Sequence, residues 1–155
     1  MKKYFVLVLA AAMLLSLAAC GSAPAAEEKK ADLSALYESC TALMTPMMPV
    51  DDTMRLDFMG IDGSDCAQVY TAFAEDGLLA DELWLIEAKD QEAFDRLKTL
   101  AENRMQAKRD ETESYSPDQF EVVKQGQILE QDLYLALIVS PNVEQVKAEV
   151  LAGLQ

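Results

Sequence analysis

The chain has 155 residues, 13 Lys and Arg against 27 Asp and Glu, a formal charge of −14, and 51% hydrophobic residues. So acidic a composition excludes nucleic acid, which demands a basic surface, and argues against a domain lying flat on anionic lipid. The chain contains no histidine, which removes Ser-His-Asp and Cys-His nucleophile pairs, histidine-bearing zinc sites and a histidine pH switch.

The first element is a leader. Lys2 and Lys3 precede an apolar run from Tyr4 to Ala19, which closes on Leu17-Ala18-Ala19 before Cys20 and Gly21. The run is too short to span a bilayer, which takes about 20 apolar residues. A basic start, an apolar middle and small residues before a cysteine form a lipobox. Residues 1–19 are therefore expected to be a lipoprotein signal peptide, with Cys20 the lipidated first residue of the mature protein. Two acyl chains on its diacylglyceryl group make a stable anchor where one would be marginal. The expected location is the extracytoplasmic face of the cell membrane, with the bilayer as one partner. Loss of Lys2 and Lys3 takes the formal charge from −14 to −16.

Residues 20–31 read as lipidated cysteine and flexible tether, since Gly21 to Ala31 (GSAPAAEEKKA) holds too little apolar surface to fold. Residues 32–155 remain as one globular domain, a size that suits a single core. Asp32 is placed to cap a helix reaching about Thr45, with Leu33, Leu36, Tyr37, Cys40, Leu43, Met44 and Met47 recurring at three- and four-residue spacing. Pro46 ends it. The methionines from Met44 to Met48 read as packing for the helix end rather than as a thioether copper site.

Asp51 to Met59 predicts a short helical turn stopped by Gly60, and Asp62-Gly63-Ser64-Asp65 is turn chemistry. Asp57, Asp62 and Asp65 lack the alternation and closing Glu of a calcium loop. Gln68 to Glu75 reads as a strand turning at Asp76-Gly77. The stretch from Asp81 to Ala88 has apolar residues on both faces, as in a sheet interior.

Asp90 should cap a long helix from about Gln91 to Glu111. Phe94, Leu97, Leu100, Ala101 and Met105 form its buried stripe, and Glu92, Asp95, Lys98, Glu102, Lys108 and Arg109 its solvated face. Ser116-Pro117-Asp118 breaks the chain, and Phe120 to Lys124 is expected to start an extended segment continued by Gln127 to Glu130. A tight turn near Gln131-Asp132 leads into the apolar run Leu133 to Val139, read as a central strand paired with its predecessor. Ser140-Pro141-Asn142 opens a last helix with Val143, Val146, Val150 and Leu154 on one face. The expected fold is α+β: a mostly antiparallel sheet of about four strands with helices packed on it.

A lipobox, an N-terminal helix and Ala80-Asp81-Glu82-Leu83-Trp84 leading into a strand together form a pattern. With them go Glu102-Asn103-Arg104 in the charged helix, Tyr115-Ser116-Pro117, and Tyr134 opening a strand that ends at Ser140-Pro141. From about Leu33 to Leu151 this resembles the Firmicutes lipoproteins catalogued as domain of unknown function 4358. Members often have Gly-Asn before the tyrosine, where this chain has Asp132-Leu133. The resemblance implies a fold and a Gram-positive envelope setting, and no activity or catalytic residue.

Asp81 and Glu82 are the sharpest candidate site, two carboxylates at the mouth of a buried strand. Neighbours on a strand point to opposite faces, so the two do not readily share one ion. The expected role is a structural ion pair with Arg104, locking helix to sheet, with recognition of a partner as the alternative. Trp84 is expected in the core, while Tyr115 and Tyr134 are expected at strand ends with wet hydroxyls. Cys40 and Cys66 are expected as buried free thiols, with a disulfide between them as the other reading. Such a bridge would add about 3.5 kcal/mol in the chain-entropy model. Ser114, Ser116 and Ser140 have no activating base in sight.

No catalytic residue, metal or cofactor is expected. The functional expectation is a non-catalytic protein-binding module of the cell envelope, meeting a protein partner through an acidic surface. The alternatives are a carboxylate-based cell-wall hydrolase and a small-ligand-binding lipoprotein. Two facing carboxylates in a cleft would favour the hydrolase, and a solid core without a cleft would favour the binding module.

Overall fold

A computed structural model describes residues 30–155. The leader, Cys20 and the tether as far as residue 29 lie outside the described residues. Helix α1 (Leu33–Thr41) begins where Asp32 accepts hydrogen bonds from the amides of Ser34 and Ala35. It ends before the expected Thr45, because strand β1 (Met47–Pro49) takes the next residues to the edge of the sheet. The methionine-rich stretch is therefore partly strand, and its three residues are too few to show a period of two.

One turn of helix, α2 (Asp52–Met54), continues into a π turn over Arg55–Met59 that stops at Gly60, whose φ of 72° suits glycine. Strand β2 (Cys66–Ala74) then pairs with β3 (Glu82–Ala88) through the expected turn. The long helix α3 (Gln91–Tyr115) starts at Asp90, which accepts from the Ala93 amide at 2.8 Å.

Helix α4 (Pro117–Gln125) replaces the extended segment expected from Phe120 to Lys124. Pro117 opens this helix instead of only breaking the previous one. Proline suits the first helical position, where its missing N–H has no partner to lose. Asp118 in the first turn and Lys124 in the last complement the helix dipole. Gly126 then lets the chain pass against α3, since a Cβ there would lie 2.9 Å from Met105 Cε. Strands β4 (Gln127–Gln131) and β5 (Tyr134–Val139) form a hairpin whose turn places Asp132 at φ 52°. Aspartate tolerates that region better than most residues. Helix α5 (Val143–Gly153) closes the chain.

Among the described residues the sheet has five strands in the order β1-β2-β3-β5-β4, all antiparallel. The α+β class holds, with one strand more than the sequence suggested. Every residue of β3 is buried because helices cover both faces. Trp84 and Ile86 meet Phe94, Leu97, Ala101 and Met105 of α3 on one face. Leu83 and Leu85 meet Leu36 and Cys40 of α1 and Val146 and Val150 of α5 on the other. Cys40 and Cys66 are both free thiols: Cys40 is buried in this second layer, whereas Cys66 packs against the first and is only half-buried, not fully buried as expected. The sheet stands between them. Burial pushes the Cys40 thiol up to about 12 and the Cys66 thiol up to about 11, so neither is a ready nucleophile.

The fold reaches back into the residues expected to be tether. Lys30 Nζ lies 2.8 Å from Glu87 Oε1, Gln68 Nε2 donates to the Ala31 carbonyl at 3.0 Å, and Tyr134 accepts from the Ala31 amide at 3.2 Å. This clasp sits at the C-terminal end of β3. The candidate site occupies its other end.

Candidate functional site

From Asp90 to Arg104, helix α3 climbs about 21 Å at 1.5 Å per residue. That matches the roughly 20 Å length of the seven residues of β3 beneath it. Arg104 and Lys108, four apart and hence on one face of α3, therefore come level with Glu82 at the start of the strand. Glu82 is 0% exposed and is held by three side chains, two through hydrogen bonds and one through an ion pair. Arg104 donates from Nε at 3.0 and 3.1 Å and from Nη2 at 2.8 Å. Trp84 Nε1 donates at 2.7 Å, and Lys108 Nζ stands 2.8 Å from Oε2. Burial pushes the Glu82 carboxyl up, but the neighbouring Lys108 and Arg104 charges outweigh it and hold the group below the ordinary carboxylate range.

Asp81 takes the other face, as strand alternation requires. It is 2% exposed near Thr45 and Ser140, and its Oδ1 has no hydrogen-bond partner among the described residues. Burial raises its carboxyl above the ordinary value, with the Thr45 and Ser140 hydroxyls opposing. A group raised in the folded state stabilises below its unfolded pKa of about 3.9, and that contribution is lost as pH rises through the folded value. Asp81→Asn should therefore gain melting temperature relative to the wild type as pH goes from acid to neutral. Parallel melting curves across that range would defeat this reading of Asp81.

Beyond Arg104 the helix overhangs the sheet, and α4 folds back beside it. Gln119 of α4 accepts from the Ala80 amide at 2.8 Å, tying the β2–β3 turn to the overhang. The space between turn, overhang and the π turn is an open cleft of about 810 Å³. Arg104 and Lys108 line its inner wall, and the Arg104 guanidinium stands 5.7 Å from the Phe73 ring centre. Phe58 is 71% exposed, Leu78 82% and Tyr115 90%, and all three line this cleft. Their segments are separated in sequence and brought together only by the fold.

The structure thus joins Glu82 to Arg104 and sends Asp81 away from both. Lys108, read from sequence as part of the solvated face, is 7% exposed. Its position three residues after Met105 continues the buried stripe of α3, and that spacing was the available signal. Tyr115 ends α3 rather than a strand. Phe58, Phe73 and Leu78 gave no signal of a site, since each reads as an ordinary apolar residue of its own segment. Of the aspartates weighed for calcium, Asp65 is occupied by Arg96 at 2.7 Å and Lys89 at 3.1 Å, and Asp62 caps the Ser64 turn.

Fold and site together define a single-domain α+β protein with an apolar-rimmed cleft at one end of its central strand. The family model described as Domain of unknown function (DUF4358) matches residues 40–140, from the end of α1 to the end of β5, and the chain belongs to that family. No curated protein and no solved structure matches the chain.

Proposed function

We propose that this protein is a membrane-anchored extracytoplasmic lipoprotein, held by diacylglyceryl-Cys20, whose folded domain is a non-catalytic protein-binding module of the cell envelope. The observation that carries the binding role is the ring of Phe58, Leu78 and Tyr115 around one cleft. Scattered apolar side chains on a surface need no explanation, whereas several gathered around one concavity mark a contact site. The docking surface on this reading is the cleft rather than the acidic exterior, so the domain is not the solid core without a cleft that the sequence reading tied to a binding module. The lipobox supports the anchor, and no helix among the described residues is long and apolar enough to cross a membrane.

The hydrolase reading fares worse on geometry. A paired-carboxylate mechanism needs two groups flanking one bond. Here Glu82 is closed to solvent inside its ion pairs, and Asp81 faces the other side of the sheet. Capture of a small ligand stands as the second reading because the cleft falls within the usual size of small-molecule sites, roughly 300–1,000 Å³.

The test is a photo-reactive phenylalanine analogue placed at Leu78 in the full chain, irradiated in its native membranes. One discrete protein adduct should form there and sediment with the membrane fraction. It should be absent when the analogue replaces Leu151 on α5, and it should disappear with Phe58→Ser. No adduct from Leu78, or equal labelling from Leu151, would overturn the protein-binding role. An adduct on a protein that stays soluble with this chain would overturn the anchor.

A further inference from the structure

The inner wall of the cleft has the opposite sign to the rest of the molecule. Two cations, Arg104 and Lys108, meet the single carboxylate of Glu82, and Glu82 is itself shut away behind them. Arg104 uses Nε and Nη2 on that carboxylate, while Nη1 makes no hydrogen bond among the described residues. Lys108 has three N–H donors, and one contact to Glu82 accounts for one of them.

The other acidic groups that line the cleft do not cancel this surplus at depth. Asp81 carries its carboxyl toward Thr45 and Ser140 on the far face, where burial favours the neutral form. Glu111 is exposed, one turn beyond Lys108; its charge reaches Arg104, more weakly than that of Glu82, and solvent screens it. The Phe73 ring covers one side of the Arg104 guanidinium, leaving its edge as the donor surface. Outside that donor edge stands the apolar rim.

We propose that the cleft recognises a carboxylate beside an apolar or aromatic side chain, presented by an acidic segment of the protein partner. The carboxylate meets Arg104 Nη1 and Lys108 Nζ, and the apolar group lies against Phe58, Phe73 and Leu78. This rests on the cleft being the docking surface and adds the chemistry of what docks there. Charge complementarity selects an anionic segment over a basic one, although the net charge of the chain alone would select the reverse. The surplus cation is fixed in place by Glu82, so a matching anion finds its donors already oriented.

Three small probes separate the possibilities: N-acetylphenylalanine, its neutral amide, and the cationic phenylalaninamide. Each is titrated at millimolar concentration into the full-length, nitrogen-15-labelled chain in detergent. Trp84 is the only tryptophan in the sequence, so its indole N–H is a single resonance, bonded to Glu82. The acid should shift that signal and the Arg104 Nε signal with a Kd about tenfold below that of the neutral amide, and the cationic amide should bind weakest. Arg104→Gln, which still leaves Glu82 its Lys108 partner, should erase the preference for the acid.

Equal affinity for acid and amide, tighter binding of the cation, or silence with all three probes would each overturn the proposal. The acid and amide comparison needs no variant, so a misfolded Arg104→Gln does not shelter it. None of these outcomes touches the docking role, which stands or falls on the Leu78 adduct.

Discussion

Glu82→Ala is expected to lower stability by about 3–5 kcal/mol, because it strands two charges that the fold has largely removed from water. The alanine leaves Lys108 at 7% exposure without its counter-ion, releases the Arg104 guanidinium and orphans the Trp84 indole N–H. For a domain of this size the loss corresponds to a fall of roughly 10–20 °C in melting temperature. An exposed pair would contribute at most about 1 kcal/mol, so the size of the effect tests the burial directly. Glu82→Gln keeps the volume and an acceptor for Trp84, and its loss should be smaller.

The pH dependence follows from the same contacts. The Glu82 carboxyl is held below its ordinary range, so the ion pairs stabilise fully above the unfolded value of about 4.3. That stabilisation is lost as pH falls through the folded value. The gap between wild type and Glu82→Gln should therefore close in acid, and a gap constant from pH 7 downward would refute the role assigned to Glu82. Replacing Glu82, Arg104 and Lys108 together by apolar residues should recover much of the stability, since removing a whole buried ionic group often costs little. The cluster is then a device for position more than for stability.

Trp84→Ala is the second large effect, a loss of about 3–5 kcal/mol measured by chemical denaturation and followed by circular dichroism. Trp84 is wholly buried at the middle of the sheet, paired with Leu137 on one side and Thr71 on the other. It faces the α3 stripe, and its deletion opens a cavity where the helix rests on the strand. Trp84→Phe should be far milder, losing mainly the indole donor to Glu82. The two positions touch, so their effects should not add. A double variant with Glu82→Ala as costly as the sum of the singles would show that the 2.7 Å indole contact carries no coupling.

Much of the architecture was legible from short-range chemistry. The two-faced apolar runs of β3 and β5 announced interior strands, and Asp32, Asp90 and Gly60 marked helix ends by backbone rules that need no tertiary information. Pro117 misled because the same residue ends one helix and begins the next, and only packing of Val123 in the core decides for the second. β1 stayed hidden because an edge strand of three residues is held by β2 rather than by its own pattern. At the site, the pairing of Glu82 with Arg104 was within reach of reasoning, since helix rise and strand length bring the two level. Lys108 was not placed, because a lysine in an apolar stripe reads as solvated until its counter-ion is known. The rim could not be found at all: Phe58, Leu78 and Tyr115 become neighbours only through the fold.

The clasp at Lys30 gives the molecule a handle and a business end. Glu87, which holds Lys30, and Glu82, which underlies the cleft, are five residues apart on one straight strand, about 17 Å. On the proposed lipidation, Lys30 lies ten positions beyond Cys20, a leash of at most about 35 Å. The cleft is then at the end away from the anchor, and its mouth, with α3 running about 16 Å beyond Arg104, sweeps a shell no more than roughly 70 Å above the bilayer. A partner wholly beyond that shell is out of range whatever its affinity, whereas one standing within it meets the cleft at the high local concentration that tethering confers.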